Sequence, residues 1–331
     1  MSFRAIYLEQ DAQRVTKASL RKVEESQFPE ISGPTVEVTV SHSTLNYKDA
    51  LAITGKAPVV RRFPHVPGID FAGVITSSDV SSWPIGTPVI VNGYGVGENY
   101  WGGLAEKVRV LPGFLLDRPA RFSAEECMAL GTAGYTAALC VLAIQKHGVE
   151  KGAKVLVTGA TGGVGSVAVA LLDSLGYEVV AVSGKPDAEG YLRKLGAKSV
   201  SPRSDFASPG KPLQKEQWAA AVDTVGSVVL SNVCAGTQYG GIVTACGLAQ
   251  GMDFPATVAP FILRAVSLVG IDSVIAPNSM RLQAWQLLAT NFPRTTLNEF
   301  ATTISLENVI EIANKFIEGS VTGRYLVDMA L

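Results

Sequence analysis

Residues 154 to 185, KVLVTGATGGVGSVAVALLDSLGYEVVAVSGK, constrain this chain more than any other stretch. Lys154 to Thr158 is an apolar run of strand length, and Gly159-Ala160-Thr161-Gly162-Gly163-Val164-Gly165 is a glycine turn. Ser166 to Leu175 follows as a helix with Gly176 past its end, and Glu178 to Val182 reads as a second buried strand. This order is half of a βαβ nucleotide-binding unit. Its glycines let the backbone turn sharply and approach a pyrophosphate, whose charge rests on the free N–H groups and positive dipole end of the helix. A glycine motif alone is weak evidence; the strand before it, the helix after it and the second strand at the right distance give it weight against a merely structural turn.

The end of the second strand narrows the ligand. In folds that prefer NAD, an Asp or Glu about 20 residues past the glycines binds the ribose 2′-hydroxyl. Here the strand runs into Ser183-Gly184-Lys185, with no carboxylate until Asp187. A hydroxyl, a free backbone N–H and a cation suit a 2′-phosphate, so the expected cofactor is NADPH. The competing reading of Lys185 is an ordinary surface lysine.

At 331 residues the chain accommodates two domains, each with its own core. Its 28 basic and 29 acidic residues form no long run of either sign, which argues against a nucleic-acid footprint or a polybasic membrane patch. The start, MSFRAIYLEQ, lacks the apolar core of a signal peptide, and no apolar run reads as long enough to span a bilayer. A cytoplasmic protein with no membrane partner is expected. Cys127, Cys140, Cys234 and Cys246 form no CxxC pair, and His42, His65 and His147 show no metal-ligand spacing. Buried thiols in a reducing compartment and no metal site are the expectation.

Residues 1 to about 125 alternate short apolar runs with Gly and Pro punctuation, as an all-β unit does. Strands are predicted at Phe3 to Leu8, Thr35 to Val40, Phe71 to Thr76, Thr87 to Val91 and Ala105 to Val110. Two stretches carry more functional groups than strands need: Ser43 to Asp49 and the glycine- and aromatic-rich loop Asn92 to Gly103. Ser123-Ala124-Glu125-Glu126 is a capping box that opens a long helix to about His147, broken near Gly131 and Gly134. From Lys154 strands and helices alternate, which implies a parallel sheet covered by helices. Pro202 to Pro212 reads as a loop, Ser305 to Ile317 as a helix, and Gly323 to Met329 as a last strand that returns to the first domain.

Several longer motifs occur in order: Thr44 to Asp49, LAITGK from Leu51, PGIDFAG from Pro67, GYGVGENYWGGLAE from Gly93, LGTAGYTA from Leu130, VSGK, ACGL from Ala245, PFILR from Pro260 and GIDSV from Gly270. Together with the layout they resemble the medium-chain dehydrogenase/reductase superfamily, in particular its zinc-free quinone oxidoreductase branch of the YhdH/YhfP type, which includes the acrylyl-CoA reductases. The resemblance covers essentially the whole chain. It implies an α/β fold in which a GroES-like β-rich catalytic domain, residues 1–125 completed by about 300–331, joins a Rossmann doubly wound parallel-sheet domain, residues 126–299. Zinc alcohol dehydrogenases of the superfamily carry Cys and His where this chain has the Asn46-Tyr47 region and Ile69-Asp70. Without a Lewis acid to polarise a simple carbonyl, the implied reaction is hydride transfer from NADPH to the β-carbon of an activated C=C bond, followed by protonation at the α-carbon. Acceptors are a conjugated thioester such as acrylyl-CoA, an enone or a quinone; a non-catalytic NADPH-binding protein is the reading from another class. Many relatives are homodimers that extend the nucleotide-binding sheet, and the stretch Val266 to Ile271 offers such an edge.

Three residues carry the chemistry under this resemblance. Tyr47 donates a hydrogen bond or proton to the enolate, positions the nicotinamide, or is simply a buried aromatic. Asn46 orients substrate or ribose. Asp70 is catalytic or, as the favoured alternative, a supporting carboxylate that holds the Asn46 to Lys48 loop. Asp49 reads as a surface partner of Lys48. For the cofactor, the resemblance implies Thr161, Gly162, Gly163 and Val164 at the pyrophosphate, Ser183, Gly184, Lys185 and Arg203 at the 2′-phosphate, and Leu248, Ile262 and Ser273 at the nicotinamide end. Leu248 and Ile262 also read as plain core. Arg61 and Arg62 meet the phosphates of a CoA thioester or form a solvated loop.

Overall fold

The computed structural model describes residues 1–331. The chain divides into two compact units, Met1–Thr132 with Ala301–Leu331, and Ala133–Phe300.

The first unit is built on a seven-stranded sheet. Its order is Ala301–Ser305, Arg324–Asp328, Val36–Leu45, Asp70–Ser78, Pro88–Asn92 and Leu116–Asp117, with Lys107–Val110 also paired to Val36–Leu45. The last strand lies antiparallel to Val36–Leu45, with Tyr325 opposite Leu45 and Asp328 opposite His42. The C-terminal segment therefore returns to this unit and sets the residues just before Asn46 beside Arg324. Alternating side chains of these strands bury a core that includes Val36, Val38, Val40, Phe71, Ile75, Val89 and Val327. A separate antiparallel pair, Ser2–Gln10 with Thr16–Glu24, flanks it. Thr16–Glu24 is not legible as a strand because TKASLRKVE buries fully only Val23.

Two elements of this unit differ from expectation. The expected Asn46 to Lys48 loop is a helix start: extended Asn46 is the N-cap of a helix that runs Tyr47–Thr54, with Gly55 closing it in the left-handed region. The C-terminal helix is shorter than expected, Val309–Ile317 after a single 3-10 turn, and it packs on Tyr47–Thr54.

The second unit is a six-stranded, wholly parallel sheet in the order Ser199–Pro202, Glu178–Ser183, Lys154–Val157, Trp218–Asp223, Thr237–Ala245, Ser267–Gly270. Strand order reverses between Lys154–Val157 and Trp218–Asp223, and in such folds ligands bind beyond the strand C-termini at that point. Helix Gly163–Ser174 starts three residues earlier than Ser166, and the expected loop after Pro202 contains a helical turn, Ser204–Ala207.

Helix Ala124–His147 corrects two readings. It departs from helical geometry only at Gly131 (φ 53°, ψ −158°), so Gly134 does not break it. It is also long and apolar enough, by length and composition alone, to cross a membrane, but 83% of its most apolar window is buried inside the protein, as befits a core helix.

Candidate functional site

In the first unit the functional residues gather around a buried polar cluster at the start of helix Tyr47–Thr54. Asp70 is fully buried and its carboxylate accepts from Asn46 Nδ2 at 2.8 Å, Asn92 Nδ2 at 2.7 Å, Thr132 N at 2.9 Å and the Thr132 hydroxyl. The kink at Gly131 is what turns the Thr132 N–H and hydroxyl toward Asp70. A Cβ at residue 131 would lie 2.5 Å from Arg324 Nη2 and 2.9 Å from Asp70 Oδ2, so this turn requires glycine.

Asn46 is committed to the interior. Its Nδ2 donates to both Asp70 and Asp49, and its Oδ1 accepts from Arg324 Nη1 at 2.9 Å. Arg324 is buried as well, and donates also to Ala129 O at 3.2 Å and Thr44 Oγ1 at 2.9 Å. With both ends of its amide engaged, Asn46 fixes the start of the helix. Asn46, expected to orient substrate or ribose, and Asp70, expected to be catalytic or a supporting carboxylate, both stand within this buried network.

Asp49 is not a surface partner of Lys48. It is 1% exposed and accepts from the Asn46 N–H at 2.8 Å, Asn46 Nδ2 at 3.1 Å and the Ile69 N–H at 2.9 Å. Lys48 pairs instead with Glu98 at 2.9 Å. Burial, reinforced by the nearby Asp70 charge, pushes the Asp49 carboxyl up to about 7 against the pull of its N–H donors. Burial also lowers the Arg324 guanidinium, which the Asp70 and Asp49 charges oppose. Above this cluster stands Tyr47, the first residue of the helix, 53% exposed and therefore not a core aromatic.

In the second unit the glycine turn leads directly into helix Gly163–Ser174. Gly162 is its N-cap and no side chain caps it, which leaves first-turn N–H groups for an anion. Thr161 is buried, and Gly165 packs so tightly that a Cβ there would fall 2.3 Å from the Gly159 carbonyl oxygen. Sequence reasoning missed the brace behind this turn. Buried Asp223 accepts from Thr158 Oγ1 at 2.7 Å and from the Gly226 N–H at 2.7 Å, while Thr224 Oγ1 donates to Thr158 O at 3.0 Å, tying together the two strand ends at the reversal point.

Ser183, Gly184, Lys185 and Arg203 line one recess of about 590 Å³ beside the ends of strands Glu178–Ser183 and Ser199–Pro202. The Arg203 backbone N–H donates to Ser183 O at 2.8 Å, and its guanidinium lies against Gly184, where a Cβ would be 2.9 Å from Cζ. Ser183 Oγ accepts the Lys185 N–H at 3.1 Å, leaving the hydroxyl proton to donate outward. Partial burial lowers the Lys185 ammonium. Two cations, a hydroxyl and a helix N-terminus fit an adenosine phosphate with an extra 2′-phosphate. Leu248 and Ile262 are 58% and 73% exposed, so neither is plain core. Ser273 belongs to a loop whose carbonyls, at Ser273, Val274 and Ala276, are gathered by the buried Arg281 guanidinium, another brace that the sequence did not disclose. No group of three or more His, Cys, Asp or Glu side chains is disposed to hold a metal ion.

Comparison with known proteins follows the same division. The family model for the alcohol dehydrogenase GroES-like domain matches residues 33–120, and that for zinc-binding dehydrogenase matches residues 163–290. The chain is 49% identical to the probable acrylyl-CoA reductase AcuI of Escherichia coli over 324 residues, 98% of each. It is 42% identical to acrylyl-CoA reductase AcuI of Ruegeria pomeroyi, covering 99% of each. The crystal structure of the yhdH oxidoreductase of Salmonella enterica in complex with NADP superposes with a TM-score of 0.95 at 48% identity, covering 98% of this chain and 99% of that one. The chain thus belongs to the YhdH/AcuI type of zinc-free medium-chain dehydrogenase/reductases.

Proposed function

We propose that this protein reduces the activated C=C bond of a short 2-enoyl thioester, acrylyl-CoA above all, with NADPH. The observation that carries this reading is the end-to-end likeness to the AcuI proteins. The recess formed by Ser183, Gly184, Lys185 and Arg203 supports the choice of NADPH. When bound, NADPH supplies the hydride that adds to the substrate β-carbon. The C=C electron pair then moves onto the thioester as an enolate, and a proton delivered to the α-carbon completes the saturated thioester.

Tyr47 is our assignment for the proton donor. Its exposed hydroxyl can meet a substrate and be reprotonated from solvent. Asn46 and Asp70 are positioning residues: they fix the helix start that aims Tyr47, together with Asp49 and Arg324. Thr161, Gly162, Gly163 and Val164 hold the pyrophosphate at the helix N-terminus, and Leu248, Ile262 and Ser273 line the nicotinamide end. We place the domain limits where the compact units divide, after Thr132 and after Phe300, against the expected 1–125 with about 300–331 and 126–299. Strand Ser267–Gly270, at the open edge of its sheet, is the surface on which we expect a homodimer to form, in the cytoplasm.

Steady-state kinetics of the purified protein with acrylyl-CoA, a quinone and an enone, each with NADPH and NADH, test the assignment. Stoichiometric NADPH oxidation with formation of propanoyl-CoA is expected. Turnover of the quinone alone would replace the thioester assignment by the quinone oxidoreductase reading, and tight NADPH binding with no turnover by any acceptor would make the protein a non-catalytic binder.

A further inference from the structure

The first unit contains a second concave site, unused by the chemistry above. A partly enclosed recess of about 860 Å³ is lined by residues 27–32, 61–65 and 98–101, and by Arg109. Its volume falls in the range of small-molecule sites, roughly 300–1,000 Å³. Its charges are unequally engaged. Arg109 is bound to Glu37 at 2.7 Å and lies over the Phe28 ring at 4.6 Å. Glu98 is neutralised by Lys48 at 2.9 Å. Arg61 and Arg62, by contrast, are exposed and make neither a hydrogen bond nor an ion pair. Glu30 is the one lining carboxylate left outside an ion pair, so the free charge of the recess is positive.

The walls are aromatic. Phe63 and Tyr100 are half-buried at the surface of the recess, with Phe28, His65 and Trp101 buried behind them. His65 Nε2 is a buried nitrogen with no hydrogen-bond partner. Flat apolar faces beside two unpaired guanidinium groups suit a ligand that carries both an aromatic base and phosphates. The Lys48–Glu98 ion pair also fixes where the recess stands: its rim residue Glu98 is bonded to the neighbour of Tyr47 in the same unit.

We propose that this recess holds the 3′-phosphorylated adenosine diphosphate end of the CoA thioester, with Arg61 and Arg62 on its phosphates and the base against Phe63 and Tyr100. The inference rests on the thioester reading above and adds where its nucleotide end binds. The reacting acyl group of such a thioester sits on a long flexible arm, so contacts at the remote nucleotide end supply binding energy that orients the reactive end.

The test separates this site from the reaction. The full-length protein, saturated with NADPH so that the recess by Lys185 is filled, is titrated calorimetrically with adenosine 3′,5′-bisphosphate. The Arg61→Glu/Arg62→Glu variant is titrated in parallel, with a thermal unfolding curve to verify its fold. Both arginines are exposed and unpartnered, so an intact fold is expected. Loss of two charge-assisted contacts should weaken binding at least about tenfold. In kinetics the same variant should raise KM for acrylyl-CoA about tenfold more than KM for acrylyl-N-acetylcysteamine, which lacks the nucleotide. Equal titration curves for the two proteins, or equal changes in the two KM values, would overturn the proposal. If the wild-type protein turned over neither thioester, the reaction assignment would fail, and the titration alone would decide whether the recess binds the nucleotide.

Discussion

Replacing Arg324 by Met tests whether the buried cluster is held by charge. Arg324 Nη2 and Asp70 Oδ2 both lie within 2.9 Å of the point that a Cβ on Gly131 would occupy, so they are near neighbours without forming a direct ion pair. Two opposite charges about 5 Å apart at an effective dielectric of about 20 attract by about 3 kcal/mol. Arg324→Met also strips donors from Asn46 Oδ1, Thr44 Oγ1 and Ala129 O. The whole loss should reach about 3–5 kcal/mol, as expected when one partner of a buried pair is removed. A double-mutant cycle with Asp70→Asn isolates the charge contribution. Urea unfolding at pH 7.5 should show the double variant less destabilised than the two single variants combined, by about 2–3 kcal/mol. Hydrogen exchange in helix Tyr47–Thr54 should accelerate in Arg324→Met, because its first residue is aimed through Asn46. Additivity within about 0.5 kcal/mol would refute the idea that Arg324 is the counter-charge of this cluster.

The remaining predictions concern neighbouring groups. Tyr47→Phe should lower kcat with acrylyl-CoA by roughly a hundredfold or more, with little change in the NADPH dissociation constant; an unchanged kcat removes Tyr47 as the proton donor. Lys185→Glu should weaken NADPH by about tenfold to a hundredfold while leaving NADH binding nearly as it was, which fluorescence titration of both cofactors measures; equal losses would place Lys185 away from the 2′-phosphate. For Asp49 the folded value of about 7 stands above that of an unfolded carboxylate, about 3.9. The folded protein therefore holds the extra proton between these values, and the associated stability, full below about pH 4, is lost as pH rises through 7. The stability gap between wild type and Asp49→Asn should accordingly narrow from pH 5 to pH 8 in urea unfolding; a gap constant with pH would mean that Asp49 is ionised throughout. Gly131→Ala should cost at least about 2 kcal/mol from its backbone geometry alone, before the contacts with Arg324 and Asp70 are counted, and thermal unfolding would show it.

What the sequence disclosed and what it hid divide along a physical line. The glycine turn and its two strands announce themselves because each depends on neighbours within about 30 residues, through backbone geometry that only certain residue types permit. Asp70 was readable as a support for Asn46 only because the resemblance placed it beside a position where relatives hold a metal. Asp49 was misread because Lys48-Asp49 looks like a surface pair until the helix forms; the helix then turns Asp49 inward onto the Asn46 and Ile69 N–H groups and Lys48 outward to Glu98. Arg324 gave a usable signal, a lone arginine opening the apolar strand RYLVD, but its partner Asn46 stands 278 residues away in sequence. No local pattern can announce such a contact.

Arg324 meets Asn46 because the last strand returns beside Val36–Leu45 in a register that sets Tyr325 opposite Leu45. Arg324 and the alternate residue Leu326, 3% and 1% exposed, share one buried face of this strand, and Val327 is buried on the other. A slip of one residue would send Arg324 to the other face and leave Asp70 and Asp49 without their guanidinium. The observed register of the last strand thus completes the charge balance beneath Tyr47. Packing of the C-terminal segment and the geometry of the candidate active site are consequently one constraint, and a substitution that shifts that register should disturb both together.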